Sequence, residues 1–158
     1  MMAHWRIFLL IVPTGILIDQ LSKWYVHNTM SLYQSIPVID GFFNITYLRN
    51  PGAAFSFLAN TDWRIPFFIV ITLVACAIIL IVLQKMQHGQ RLSHIALSMI
   101  FSGAIGNLID RIRWGEVIDF LDVYVKQHHW PAFNVADSLI CVGVALMTLQ
   151  MFREENKV

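Results

Sequence analysis

The sequence predicts an all-α integral membrane protein of four transmembrane helices, with a small β-rich element in a loop outside the membrane. Of the 158 residues, 57% are hydrophobic and 13% are charged, whereas soluble domains carry about 25% charged residues. The apolar residues gather in four segments, three of which approach the ~20 residues that cross a bilayer. Because this length suits one domain, we expect residues 1–158 to form a single unit.

The first apolar segment covers residues 7–18 and has charged residues at both ends. Arg6 followed by an uncharged run of this size has the dimensions of the apolar region of a signal peptide. However, the residues that follow are Asp19 to Lys23, and they contain no small-residue cleavage site. We therefore expect a retained first helix that carries Asp19 and Lys23.

The other three apolar segments are residues 65–83, 92–109 and 133–152. The first two of these contain no charged residue, whereas the last contains Asp137. An ionised carboxylate inside hydrocarbon is costly, so an intramembrane acid normally faces a protein interior or a water-filled cavity and indicates function. Asp19 and Asp137 are the clearest cases in this sequence.

Two long connections, residues 28–64 and 110–132, lie on the same side of the membrane if all four segments span it. Residues 42–48 are rich in β-formers and run into Asn50-Pro51-Gly52, which predicts a strand or hairpin ending in a turn. Lys and Arg are divided almost evenly between the two sides, so they do not fix the orientation. We expect cytoplasmic termini and two extracytoplasmic loops, because several opposing charges lie within candidate site motifs.

Several classes of function are disfavoured by composition. The net charge is +1 and no basic run tracks phosphates, which argues against nucleic-acid binding. Cys76 and Cys141 lie in apolar stretches without the spacing of a metal or redox pair. His128 and His129 are adjacent but lack a second spaced ligand, so we expect neither a metal nor a cofactor.

A pair of acids near the last span is a candidate for proton chemistry. Asn134 precedes Asp137 by three residues, on the same helical face, and could orient its carboxylate. Asp119 follows a turn-like segment at 114–116 in the second loop, so chain reversal could return it to the start of that helix. Two carboxylates a few ångströms apart share a proton, as in aspartic proteases.

Other interpretations of these polar residues remain open from the residues alone. Asp119 could also be an ordinary acidic residue of a loop. Asp19 and Lys23 could form a purely structural pair at i and i+4. A proton- or ion-coupled transporter would use intramembrane carboxylates, although it predicts acids stepped through the bilayer rather than gathered at one level. A structural scaffold with buried ion pairs is the third possibility.

Five motifs carry a resemblance to a known family. They are DQLSK at 19–23, RNPGAAF at 49–55, GAIGNLIDR at 103–111, VIDF at 117–120 and PAFNVAD at 131–137. Their order and spacing over nearly the whole chain closely resemble those of bacterial lipoprotein signal peptidase, also called signal peptidase II. Ser22 departs from the threonine that is frequent in the family, but it keeps the hydroxyl.

The resemblance implies an intramembrane aspartyl endopeptidase of the bacterial inner membrane. Such an enzyme removes the signal peptide of diacylglyceryl-modified prolipoproteins just before the lipidated cysteine, and its catalytic pair maps onto Asp119 and Asp137. The active site would face the outer side of the membrane, with the first loop as a cradle. We expect a monomer in contact with membrane lipid. The supporting or substrate-binding residues that the resemblance implies are Asp19, Lys23, Asn50, Gly103, Asn107, Asp110, Arg111 and Asn134.

Two further acids flank Asp119 and do not match the family pattern. They are Glu116 and Asp122, and we expect both side chains to be solvated.

Overall fold

The structure, a computed structural model, describes residues 2–52, 63–86 and 90–155. Within these residues the elements are, in chain order, α1 (Met2–Thr29), β1 (Ser35–Ile39), β2 (Phe43–Asn50), α2 (Arg64–Lys85), α3 (Arg91–Trp114), β3 (Val117–Val125), β4 (His128–His129) and α4 (Val135–Glu155). All four helices are long and apolar enough to cross a membrane. The prediction of four spans is therefore confirmed. Each helix extends beyond its apolar segment at one end or both, because neighbouring polar residues continue the helical turns.

The end of α3 differs from the sequence prediction, which began the second loop at residue 110. The helix continues to Trp114 and ends at Gly115, which has a φ of 71° and donates its backbone N–H to the Arg111 carbonyl. Glycine suits this left-handed position because it has no Cβ. Asp110 and Arg111 therefore lie in the last turns of a helix and not in a loop.

Helix α3 is the centre of the bundle and packs against α1, α2 and α4. Glycines make the closest approaches possible. A Cβ at Gly103 would collide with the backbone carbonyl of Ala136 in α4, and a Cβ at Gly106 would lie 2.6 Å from an Asp19 carboxylate oxygen in α1. Small residues at such positions let membrane helices approach closely. The polar residues of three helices are thereby brought together.

The four strands form one antiparallel sheet in the order β1-β2-β3-β4. The strand predicted at residues 42–48 corresponds to β2, whereas β3 and β4 arise from the second loop and were not predicted. Asp119 was expected in a loop, but it lies in the nine-residue strand β3, opposite Leu48 of β2. The prediction was wrong because Asp119 and Asp122 interrupt an otherwise β-prone apolar run.

An apolar cluster attaches the sheet to one end of the helical bundle. Val26 and Met30, at and just beyond the end of α1, pack with Tyr47 of β2 and with Ile118 and Phe120 of β3. Each of these side chains is at most 9% exposed. Because Ile118 and Phe120 flank Asp119, this cluster fixes the position of Asp119 relative to the end of α1.

Candidate active site

Asp119 is a buried carboxyl group whose two oxygens each accept a hydrogen bond from an asparagine. Asn134 Nδ2 donates to Oδ1 over 2.7 Å, and Asn50 Nδ2 donates to Oδ2 over 3.0 Å. Burial raises the pKa of Asp119 and the charge of Asp137 raises it further, while the two amides oppose the shift, so that the pKa is about 7. Asp119 can therefore carry a proton at neutral pH.

Asp137 lies in the first turn of α4 and exchanges hydrogen bonds with Asn134, the residue just before the helix. The Asp137 backbone N–H donates to Asn134 Oδ1 over 2.9 Å, and the Asn134 backbone N–H donates to Asp137 Oδ2 over 3.2 Å. This reciprocal pattern is a capping box with Asp in the place of Glu. Asn107 Nδ2 adds a 2.7 Å bond to Asp137 Oδ1. Such donors at a helix N-terminus suit a negatively charged carboxylate.

Asn134 is the residue that bridges the two acids. Its side chain is fully buried, and it binds Asp119 through Nδ2 and Asp137 through its backbone N–H. The backbone beside it is also fixed, because the Phe120 N–H donates to the Phe133 carbonyl over 3.0 Å. A strand and a helix start thus present two carboxylates on either side of one asparagine.

A buried ion triad lies directly next to this pair. Lys23 Nζ is 3.0 Å from Asp19 Oδ2 and 2.9 Å from Asp110 Oδ2, and all three side chains are at most 2% exposed. Lys23 also donates to Asn107 Oδ1 over 3.0 Å. The pairing of Asp19 with Lys23 is the i,i+4 contact that the sequence suggested, and Asn107 connects this triad to Asp137.

Each acid of the triad also holds a backbone N–H next to one of the candidate catalytic acids. Asp19 Oδ1 accepts from the N–H of Ala136, over 2.9 Å, and Ala136 precedes Asp137. Asp110 Oδ2 accepts from the N–H of Ile118, over 3.1 Å, and Ile118 precedes Asp119. The triad therefore fixes the backbone from which both carboxylates extend.

Gln20 is a site residue that the sequence analysis did not single out. Its Nε2 lies 3.1 Å from Asp19 Oδ2, 2.9 Å from Asp110 Oδ1 and 3.1 Å from the Gly106 carbonyl. It thereby connects α1 to α3 beside the ion triad. Its place inside the motif at 19–23 was the one available signal.

A cavity of about 750 Å³ opens onto both acids. Arg111 lines it, with its guanidinium 4.8 Å above the ring of Phe68, while its neighbour Asp110 faces the triad, as adjacent helical positions should. The cavity thus has a polar end beside a larger apolar part. The polar lining includes Asn50, Asn107, Arg111, Asp119 and Asp137, and the apolar lining includes Phe68, Ile71, Ala75, Ile100, Ala104 and Ile140.

Residues 53–55 of the second motif lie outside the described residues, whereas Asn50 ends β2 and its Oδ1 accepts from the Gly52 N–H. Asp122 was expected to be solvated, and that prediction was wrong because its side chain is 9% exposed and hydrogen-bonded. Among the described residues, no three His, Cys, Asp or Glu side chains are grouped to hold a metal.

Comparisons with known proteins give consistent results. Residues 11–153 match the profile of signal peptidase II. A lipoprotein signal peptidase from Geobacter metallireducens is 61% identical over 99% of this chain and 97% of its own. Another, from Bacillus subtilis, is 44% identical over 99% and 97%. A bacterial membrane enzyme solved in meso at 2.3 Å resolution is 32% identical with a TM-score of 0.86, covering 95% of this chain and 90% of its own.

Proposed function

The chain belongs to the signal peptidase II family, and we propose that Asp119 and Asp137 are the catalytic acids of this membrane-embedded lipoprotein signal peptidase. The observation that carries the proposal is the bridge through Asn134, which brings the two carboxylates together at the polar end of the cavity. The family match supports a peptidase and gives no support to the transporter hypothesis.

The two acids have different environments, which suggests different roles. Asp119, with its raised pKa, is the proton donor. Asp137, surrounded by N–H donors at the start of α4, is the base. This is the division of roles expected when two carboxyl groups of one site have different environments.

In the first step, Asp137 takes a proton from a water molecule while the water oxygen bonds to the carbonyl carbon of the scissile peptide. Asp119 gives its proton to the carbonyl oxygen, so a neutral tetrahedral diol forms. In the second step, Asp137 passes its proton to the amide nitrogen as the C–N bond breaks. One diol hydroxyl returns a proton to Asp119, which restores both acids.

The cavity matches a substrate that is part peptide and part lipid. Its polar end, with Asn50, Arg111 and the acids, would hold the peptide bond, and its apolar part between α2, α3 and α4 would hold acyl chains. We assign the substrate class accordingly: a diacylglyceryl-modified prolipoprotein, cut just before the lipidated cysteine. An apolar cavity between membrane helices also suits entry from the side, directly from the lipid.

The remaining proposed site residues act through these groups. Asp19, Lys23 and Asp110 hold the backbone beside the two acids, Asn107 orients Asp137, and Gly103 permits the contact of α3 with α4. Asn50 and Arg111 contact the substrate.

The layout also supports a proposal for the setting of the protein in the cell. The ion triad, both acids and the sheet lie at the same end of the bundle. We place this end at the outer face of the bacterial inner membrane, with cytoplasmic termini. Residues 1–158 would work as one domain and as a monomer among membrane lipids, without a nucleic-acid partner.

The test is cleavage of a purified diacylglyceryl-modified prolipoprotein, with its unmodified precursor alongside. Mass spectrometry should find a new N-terminus at the lipidated cysteine of the modified substrate. Asp119→Asn and Asp137→Asn should fold and lose cleavage by at least about 1000-fold, because a catalytic pair acts as a unit. Asp40→Asn, which alters an exposed acid in the β1–β2 turn, is the matched control. Absence of cleavage by the wild-type protein would contradict the proposed function.

A further inference from the structure

Asp122 and His129 form a second polar cluster, on the sheet and apart from the two candidate catalytic acids. Asp122 Oδ1 accepts from His129 Nδ1 over 2.7 Å. Its Oδ2 accepts from Asn44 Nδ2 over 3.0 Å and from Thr46 Oγ1 over 3.1 Å. One carboxylate thus connects β2, β3 and β4. We call the Asp122–His129 pair the clasp.

Tyr124 contacts the clasp and connects it to the β1–β2 turn. The ring of His129 stacks on Tyr124, with 4.8 Å between centroids and 10° between planes. The Tyr124 hydroxyl in turn accepts from the Gly41 N–H over 2.9 Å. Burial alone would raise the pKa of Asp122, but the hydrogen bonds from His129, Asn44 and Thr46 outweigh burial and lower it. Asp122 is therefore an ionised acceptor at neutral pH.

Strand β4, which contains His129, is short, and the turn before it has an unfavourable backbone conformation. Strand β4 contains two residues, and the turn before it places Lys126 at a φ of 57°. A left-handed conformation costs a non-glycine residue about 1 kcal/mol or more. So small a hairpin is marginal on its own backbone pairing. The side-chain contacts of the clasp therefore supply much of what keeps β4 on β3.

The chain directly after β4 forms one wall of the cavity. Residues 130–133 all line it, and they lie along β3 through bonds from the Trp130 N–H to the Val123 carbonyl and from the Phe133 N–H to the Leu121 carbonyl. This wall ends at Asn134, the bridge between the two acids. A displacement of His129 would loosen the wall at its first residue.

We propose that Asp122 and His129 are positioning residues, whose clasp holds residues 130–133 in place as a preformed wall for the prolipoprotein substrate. The inference rests on the peptidase function proposed above. Neither side chain lines the cavity, so the clasp acts through the wall and not on the reacting atoms. Its loss should weaken substrate binding, because a mobile wall must be ordered each time substrate binds.

The experiment compares His129→Ala with His128→Ala, its exposed neighbour in the same strand. His129→Ala should raise KM about three- to tenfold, with kcat within about twofold, a range that suits a charge-assisted bond at a half-exposed site. It should also speed hydrogen exchange at the Trp130 and Phe133 amides, whereas His128→Ala should change neither. His129→Asn should restore much of KM, since its amide N–H can donate from nearly the position of Nδ1.

Two results would overturn the inference: exchange at 130–133 that is the same in the two alanine variants, or a loss confined to kcat. If His129→Ala fails to fold, Asn44→Ala removes one donor of Asp122 and should give the same changes at smaller size. Hydrogen exchange requires no substrate. An inactive wild-type protein would therefore count against the proposed function, while the exchange rates would still test the clasp.

Discussion

Two pairs of acids lie side by side in this protein and differ in the groups that contact their carboxylates. Asp19 and Asp110 share the ammonium group of Lys23, at 3.0 and 2.9 Å. Asp119 and Asp137 receive hydrogen bonds from asparagine amides and a backbone N–H, and within the described part of the chain neither has a salt bridge within 4.0 Å.

We infer from this difference a structural role for the first pair and a chemical role for the second. A buried carboxylate with a cation beside it has a partner for its charge, so it serves as a fixed acceptor. A desolvated carboxyl group with only neutral donors retains its proton to higher pH, as the pKa of about 7 for Asp119 illustrates. Proton transfer at neutral pH requires the second kind of environment.

The first pair also supports the second. Asp19 and Asp110 each accept from the backbone N–H of the residue that precedes one of the proposed catalytic acids. The charged triad thus fixes the position of Asp137 and Asp119 without forming an ion pair with either acid. This arrangement predicts that changes in the triad act first on stability, whereas changes in the second pair act first on turnover.

The largest expected effect on stability is that of Lys23→Met. It would leave Asp19 and Asp110 buried without a cation, which typically costs about 3–5 kcal/mol. Thermal unfolding in detergent should show a drop in Tm of more than about 6 °C. Lys85→Met, at the exposed end of α2, should leave Tm within about a degree. Equal Tm values for the two variants would contradict a structural role for the triad.

Asn134→Ala is expected to act mainly on turnover. It removes the bridge to Asp119 and the cap of α4, so kcat should fall about 100-fold, while the lost cap costs about 1 kcal/mol of stability. Steady-state cleavage and thermal unfolding should be measured on the same preparation, with the exposed Asn28→Ala as control. A large fall in Tm with unchanged activity per folded molecule would mean that Asn134, like Asp19 and Asp110, has a structural role.

The smallest effect is expected in the pH dependence of stability. The folded-state pKa of Asp119, about 7, is above its ordinary value of 3.8. Between these values the folded protein retains a proton that the unfolded chain has lost, so this contribution to stability declines as pH rises and is gone above pH ~7. Asp119→Asn should therefore reduce the difference in Tm between pH 5 and pH 8 by a few degrees. An unchanged difference, equal to that of Asp40→Asn, would contradict the raised pKa.

The sequence allowed the helices to be predicted because hydropathy is a local property, and the Asp19–Lys23 contact because i and i+4 are neighbours on a helix. Strand β3 could not be predicted in this way. Its acids, Asp119 and Asp122, resemble loop residues until distant amides are brought to them. Gln20 was missed for the same reason, since its partners Gly106 and Asp110 are 86 and 90 residues away. Long-range polar contacts leave little trace in a single sequence.

The most direct test of the catalytic assignment is the cleavage rate per folded molecule in four single variants, one for each acid of the two pairs. Asp119→Asn and Asp137→Asn should keep a Tm near that of the wild type and lose at least about 1000-fold in rate. Asp19→Asn and Asp110→Asn should lose stability, with a much smaller loss of rate per folded molecule. Cleavage within about tenfold of the wild-type rate by folded Asp119→Asn or Asp137→Asn would contradict the assignment of that acid to the catalytic pair.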